Sequence, residues 1–383
     1  MAFSLDHRQA RRAVLLGLGA SALALASCQG RQPARPVGPE QPIEAGPIPE
    51  ALRHQIALII PLTGPDGGVG TSISNAANLA LFDTKAGNLR LTTYDSGELG
   101  AANAAQAAIN AGADLILGPL LADDVRALAP VARRANVPVI AFSNDTTVAG
   151  DGIYIMGVAP SAAIDRVARY SRSKGATRFG ALVPSGLYGQ RAAQAIQASV
   201  KAAGGTMVGL ETYNRTPLAA RGAAATLNRR GTYDAVLIGD GGTIVASIAS
   251  AVEAGPALLG TELWANDRTL GKTARLRGAL YAAPPETRFQ QLVTRYKARY
   301  GKTPYRLGSL GYDAMLLTAT AARKWPLNRP FPTAILADRD GFAGVDGIFR
   351  FGRDGVVERA LEVRQVTAAG FTVVSPAAAT FAN

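Results

Sequence analysis

Gln55-Ile56-Ala57-Leu58-Ile59-Ile60-Pro61-Leu62 is a nearly continuous apolar run that breaks into Thr63-Gly64-Pro65-Asp66-Gly67-Gly68-Val69-Gly70 and then an Ala- and Leu-rich stretch through Lys85. Apolar character without alternation suits a strand buried on both faces of a parallel sheet, and a glycine turn leading into a helix is how such a strand begins its crossover. The unit recurs. Strand-like Leu89–Tyr94, Leu115–Leu117 and Val137–Phe142 are interleaved with helical Ala101–Ala111 and Asp123–Ala135. The rhythm then restarts with helix Ala162–Lys174, strand Arg178–Val183, helix Gly189–Ala203, strand Thr206–Thr212, helix Ala219–Arg230, strand Ala235–Ile238, helix Val245–Glu253 and a last strand near Leu280–Ala282. Strands alternating with helices at this spacing are βαβ units, so the expected fold is α/β, with two doubly wound parallel-sheet lobes. Two helices, Arg288–Tyr300 and Leu310–Arg323, follow. Beyond them Gly352-Arg353-Asp354-Gly355 lies between strand-like Ile348–Phe351 and Val356–Val366, a hairpin signal.

At 383 residues the chain exceeds what one hydrophobic core usually supports, and 48% apolar with 18% charged residues is a globular balance. The ionisable inventory restricts chemistry. The only histidines are His7 and His54 and the only cysteine is Cys28. A Ser-His-Asp triad, a cysteine nucleophile with its base, and a zinc site all need more His or Cys than this. Carboxylate-only hydrolysis needs just two Asp or Glu, but no paired-carboxylate motif stands out. Gly68-Val69-Gly70 is half of a dinucleotide fingerprint without its third glycine, and no GK[ST] follows, so no cofactor is expected. The net charge is +12, yet no Lys/Arg run is interleaved with aromatics, which argues against nucleic acid as partner.

The first 27 residues read as a signal peptide. A net-positive segment ends in Arg11-Arg12, and Ala13–Leu25 is an apolar stretch too short to span a bilayer. Leu25-Ala26-Ser27-Cys28 resembles the bacterial lipobox, which implies acylation of Cys28 and attachment to a membrane through lipid; Gln29 after it points by the same resemblance to the outer membrane, with the inner membrane as alternative. Residues 28–53 carry Pro33, Pro36, Pro39, Pro42, Pro47 and Pro49 and read as an extended tether, with a reach of roughly 60–70 Å.

Over residues 55–375 the order of elements resembles the type 1 periplasmic binding proteins of the leucine/isoleucine/valine-binding family. The matching landmarks include Pro61-Leu62-Thr63-Gly64, Tyr94-Asp95, Leu117-Gly118-Pro119, Val137-Pro138-Val139-Ile140, Tyr188-Gly189, Tyr312-Asp313-Ala314 and Gly344-Val345-Asp346-Gly347. The resemblance implies two lobes joined by three crossovers, expected near Gly157, Pro284 and Phe342. Residues 54–157 with 285–341 would form the N-terminal lobe, 158–284 the C-terminal lobe, and 342–383 a crossover and closing β-hairpin. Gly118-Pro119-Leu120-Leu121 with Val125, and Ala141-Phe142-Ser143-Asn144-Asp145, resemble a narrower branch, the penicillin-binding-protein activators, lipoproteins that stimulate peptidoglycan synthases. That implies a non-enzymatic envelope lipoprotein facing the periplasm, with a penicillin-binding protein as partner. The alternative is a solute receptor whose partner is an ABC permease.

Ligands of open parallel sheets lie beyond the carboxyl ends of the strands. The expected cleft residues are Thr63, Gly64, Asp95, Ser96, Leu120, Leu121, Ser143, Asn144 and Asp145 on one lobe, facing Ser185, Tyr188 and Asp240 on the other. Amino-acid-binding relatives hold the ligand carboxylate with hydroxyls where this chain has Ala122 and Asp145. The resemblance therefore implies weak binding of ordinary α-amino acids, and either a small polar ligand, cationic or hydroxyl-rich, with Asp95, Asp145 and Asp240 as acceptors, or a vestigial cleft.

Overall fold

A computed structural model describes Pro49 and residues 52–381; the expected signal peptide, Cys28 and most of the tether lie outside the described residues. The first lobe is built on a parallel five-stranded sheet in the order β2-β1-β3-β4-β5, where β1 is His54–Ile60, β2 Leu89–Asp95, β3 Leu115–Leu117, β4 Val139–Ala141 and β5 Ile153–Ile155. β1 shows why its run is apolar on both faces. Ile56, Leu58 and Ile60 pack on one layer, with helices α1 (Gly67–Thr84), α8 (Thr287–Tyr300) and α9 (Gly308–Ala322). Ala57 and Ile59 face the other layer, with α2 (Ala101–Asn110) and α3 (Ala122–Ala135).

The second lobe carries a seven-stranded sheet, β15-β14-β10-β9-β8-β6-β7. Its parallel part comprises β6 (Arg178–Pro184), β7 (Thr206–Tyr213), β8 (Ala235–Ile238), β9 (Ala257–Gly260) and β10 (Leu280–Ala283). Helices α4 (Pro160–Ser173), α5 (Leu187–Ala202), α6 (Pro217–Arg230) and α7 (Thr243–Ala249) cover it. Each lobe opens its first helix the same way. A Cβ at Gly70 would lie 1.7 Å from the Pro61 carbonyl and one at Gly189 1.6 Å from that of Pro184, so only glycine lets these helices settle on their strand ends.

The expected two-lobed α/β fold with parallel sheets is present, and the sheet of the second lobe is extended by β14 (Glu362–Thr367), which runs antiparallel to β10 and pairs with β15 (Gly370–Ser375). One expectation is corrected. The third crossover lies at Ala360–Leu361, not near Phe342. Phe342 belongs to β11 (Phe342–Gly344), which forms an antiparallel sheet with β12 (Gly347–Phe351) and β13 (Val357–Arg359). Phe342, Phe349, Phe351 and Val357 are buried in the core of the first lobe, so the chain stays there until β13 ends. The other passages between lobes are Met156–Ala159, from β5 to α4, and Pro284–Glu286, from β10 to α8.

Candidate functional site

The loops after β1, β3 and β4 and the start of α9 face the segment after β9 across a cavity of about 470 Å³. Its first-lobe wall is mainly apolar: Val69, Leu120, Leu121, Phe142, Leu307 and Leu310. Gly157, Val158 and Pro284 from two of the crossovers close its back, and Glu262, Leu263, Ala265 and Asn266 contribute the second lobe. Arg306 also reaches it, but with its charge engaged. Its guanidinium lies 2.5 Å from Asp346 and stacks 4.0 Å from the Phe289 ring, while Ser309 donates to the other Asp346 oxygen at 2.7 Å.

Of the twelve expected cleft residues, Leu120, Leu121 and Asn144 line this cavity. Thr63 and Gly64 are exposed on the loop after β1, with Gly64 at φ +78°, in the left-handed region. Ser96 donates to Asp124, Ser185 to Asn214, and the Ser143 hydroxyl accepts the Asp145 N–H inside its own loop.

The expectation of open carboxylate acceptors at Asp95, Asp145 and Asp240 is corrected, because internal donors occupy all three. Asp95 accepts the N–H groups of Leu62 and Gly97, each at 2.8 Å, which ties the loop after β1 to the end of β2. Burial works to raise its pKa, and these bonds, with those from Thr63, outweigh burial and hold it below the ordinary value. Asp240 accepts from the Tyr213 hydroxyl at 2.9 Å, from Arg215 at 2.8 Å and from the Gly241 N–H at 2.8 Å. Asp145 is the most crowded. One oxygen takes Arg126 and Arg191, both at 2.7 Å, and the other takes the Thr147 N–H and hydroxyl. Burial opposes its ionisation, but Thr147, Arg191 and Arg126 together hold it well below the usual carboxylate range. Arg191 belongs to α5 and Asp145 to the first lobe, so this pair joins the lobes directly.

Tyr188 is engaged within its own lobe. Its hydroxyl lies 2.9 Å from Thr261 and 3.1 Å from Glu262 Oε1 in its own lobe, and burial raises its pKa. Glu262 is the residue that sequence reasoning missed. Its Oε2 is buried without a hydrogen-bond partner among the described residues, and burial raises its pKa to about 7 against the opposing Tyr188 bond. The available signal was Ala257–Gly260, a short apolar strand whose carboxyl end delivers Thr261-Glu262 into the cleft. No cluster of three His, Cys, Asp or Glu suited to a metal ion exists among the described residues, and no described helix is long and apolar enough to cross a membrane.

Two α/β lobes joined by three short passages enclose the interlobe cavity, the architecture of a two-lobed binding-protein fold. The chain belongs to the periplasmic binding protein family, whose sequence signature matches residues 54–371, and the family implies a periplasmic location. Similar solved structures include a protein described as a branched-chain amino acid ABC transporter from Rhodospirillum rubrum, at 19% identity and TM-score 0.74, covering 84% of this chain and all of that one. Another is the solute binding protein of an ABC transporter from Rhodopseudomonas palustris BisB5 in complex with 3,4-dihydroxy benzoic acid, at 19% identity and TM-score 0.64, covering 85% of this chain and 96% of that one. An uncharacterized protein of Rickettsia prowazekii (strain Madrid E) is 28% identical over 149 residues, which span 39% of this chain and 40% of that protein.

Proposed function

We propose that this chain is a non-catalytic, lipid-anchored envelope receptor that closes its lobes on a small, largely apolar ligand bearing a hydrogen-bond donor or cationic group, and presents it to an ABC permease. The observation that carries this is the interlobe cavity, where a mainly apolar first-lobe wall faces Glu262, whose Oε2 is buried without a hydrogen-bond partner among the described residues. An apolar body would fill the walls, and a donor drawn to the Glu262 carboxyl as the lobes adjust would pair an oxygen that is costly to leave buried alone. The Rhodopseudomonas palustris relative supports the size class, since its ligand is a single substituted ring. Solute screening by thermal shift tests the reading. Small apolar amines and alcohols should raise the melting temperature, with a loss of that response in Leu120→Asp.

A second reading, a penicillin-binding-protein activator acting as a scaffold at the outer membrane, draws on Asp95, Asp145 and Asp240. All three serve internal architecture, and Arg191–Asp145 joins the lobes with the protein's own groups. Pull-down from crosslinked envelopes separates the two: a penicillin-binding protein recovered with the chain, and no solute response, favours the scaffold.

A further inference from the structure

Three segments meet at the end of the first lobe away from the cleft: Leu52–His54, the turn Lys85–Asn88, and the loop Arg323–Arg329. The His54 N–H donates to the Asn88 carbonyl at 2.9 Å, and the Asn88 amide donates to the Ala322 carbonyl at 3.0 Å. The His54 ring stacks at 3.7 Å on Trp325, whose indole N–H donates to the Arg329 carbonyl at 2.7 Å. This frame is fixed, and the polypeptide joins the lobe through it.

The frame displays Lys85, Arg323, Lys324 and Arg329, all exposed and none of them in an ion pair, hydrogen bond or ring contact of its side chain among the described residues. The carboxylates on the elements beside them are engaged: Asp114 takes the Gln55 N–H at 2.8 Å and lies 3.9 Å from His54, and Asp83 pairs with Arg295 at 2.7 Å. The same segments carry two exposed leucines, Leu52 at 47% and Leu327 at 41%.

We propose that this face docks on a bilayer surface rich in anionic phospholipid headgroups. Lysine and arginine supply donors and charge to the phosphates, and aliphatic tips reach the boundary below the headgroups. The leucines distinguish a lipid surface from a soluble polyanion, which offers them no apolar environment. A second copy of the same face would be repelled by its own charge. The proposal is independent of what the cavity binds. Each cation near such a surface contributes about a fivefold gain in partition, within a Debye length of about 8–10 Å.

The test uses the full chain on vesicles of phosphatidylcholine alone and of phosphatidylcholine with phosphatidylglycerol in equal parts, read by hydrogen exchange of residues 85–90 and 323–329. Exchange in both segments should slow on the anionic vesicles only, and the protection should vanish at roughly 1 M salt, where screening acts within about 3 Å. The triple variant Arg323→Glu, Lys324→Glu, Arg329→Glu should lose the protection, equivalent to roughly a hundredfold weaker docking. Lys201→Glu, Arg221→Glu and Arg229→Glu on the second lobe change net charge equally and should leave it intact. Equal exchange on both vesicle types, equal loss in the second-lobe variant, or protection appearing without vesicles as the molecular mass doubles would each overturn the proposal.

Discussion

Arg191→Ala should open the clamp. Arg191 is three-quarters buried and gives Asp145 its partner from the second lobe, at 2.7 Å. A charge-assisted hydrogen bond is worth about 1.5–3 kcal/mol, but the same oxygen keeps half-exposed Arg126, so the net loss should be about 1–2 kcal/mol. That shifts the open-to-closed ratio roughly 5–30-fold, because each 1.4 kcal/mol is about a factor of ten. Small-angle scattering should show a larger radius of gyration in the variant, and Arg191→Lys should recover part of the compactness. Asp145→Asn should open the lobes further, since it leaves two guanidiniums facing a neutral amide. The pH dependence follows in sign. Asp145 titrates lower folded than unfolded, so its contribution is complete above the ordinary carboxylate value of about 3.9 and is lost as the pH falls through the depressed value. A scattering curve for Arg191→Ala that superposes on the parent's, with an unchanged unfolding midpoint, would refute the latch.

Further predictions concern burial and ligand choice. Asp313 is fully buried against Arg359 at 3.1 Å and accepts the Val345 N–H at 2.6 Å, so Asp313→Ala should cost about 3–5 kcal/mol in urea unfolding, by stranding a buried guanidinium. Glu262 titrates near pH 7 folded, above its unfolded value, so stability should decline as pH rises from about 4.5 to about 7, by at most about 3 kcal/mol; Glu262→Gln should flatten that slope in thermal melts across pH. Calorimetric titration with leucine should show no tight binding, because Ala122 offers no side-chain donor and Asp145 is a carboxylate already held by two arginines. Micromolar affinity would reverse that reading.

Much of the architecture was legible because parallel strands buried on two faces leave unbroken apolar runs, as in Gln55–Leu62, Arg178–Val183 and Ala235–Ile238. What escaped was short. β5 and β9 have only three and four residues, too few to show a period, and β9 hid the route to Glu262. Val356–Val366 looked like one strand but is two, in different sheets, because Ala360–Leu361 carries the chain between lobes. The carboxylates were placed at the correct strand ends, yet their partners come from distant sequence: Arg191 lies 46 residues after Asp145, and Arg215 lies 25 residues before Asp240. Only the fold shows that those charges are engaged.

The third crossover explains why closure should depend on the latch rather than on the hinge. Arg359, before it, is held by Asp313 and stacks 4.8 Å from the Phe349 ring, which fixes it to the first lobe. Just after it, Glu362 accepts from Arg364 at 2.7 Å, and Arg364 donates to the Pro284 carbonyl at 2.6 Å, at the second crossover. The passage is thus bracketed by residues fixed to either lobe, so a rotation of the lobes would be taken up at Ala360 and Leu361. Separating Arg191 from Asp145 removes an ion pair from a carboxylate that is almost fully buried. The cavity ligand and Arg191 thus act on the same equilibrium. A ligand that binds the closed form needs less affinity of its own while Asp145 is ionised, and Arg191→Ala should weaken its binding by the same roughly 5–30-fold that it opens the lobes.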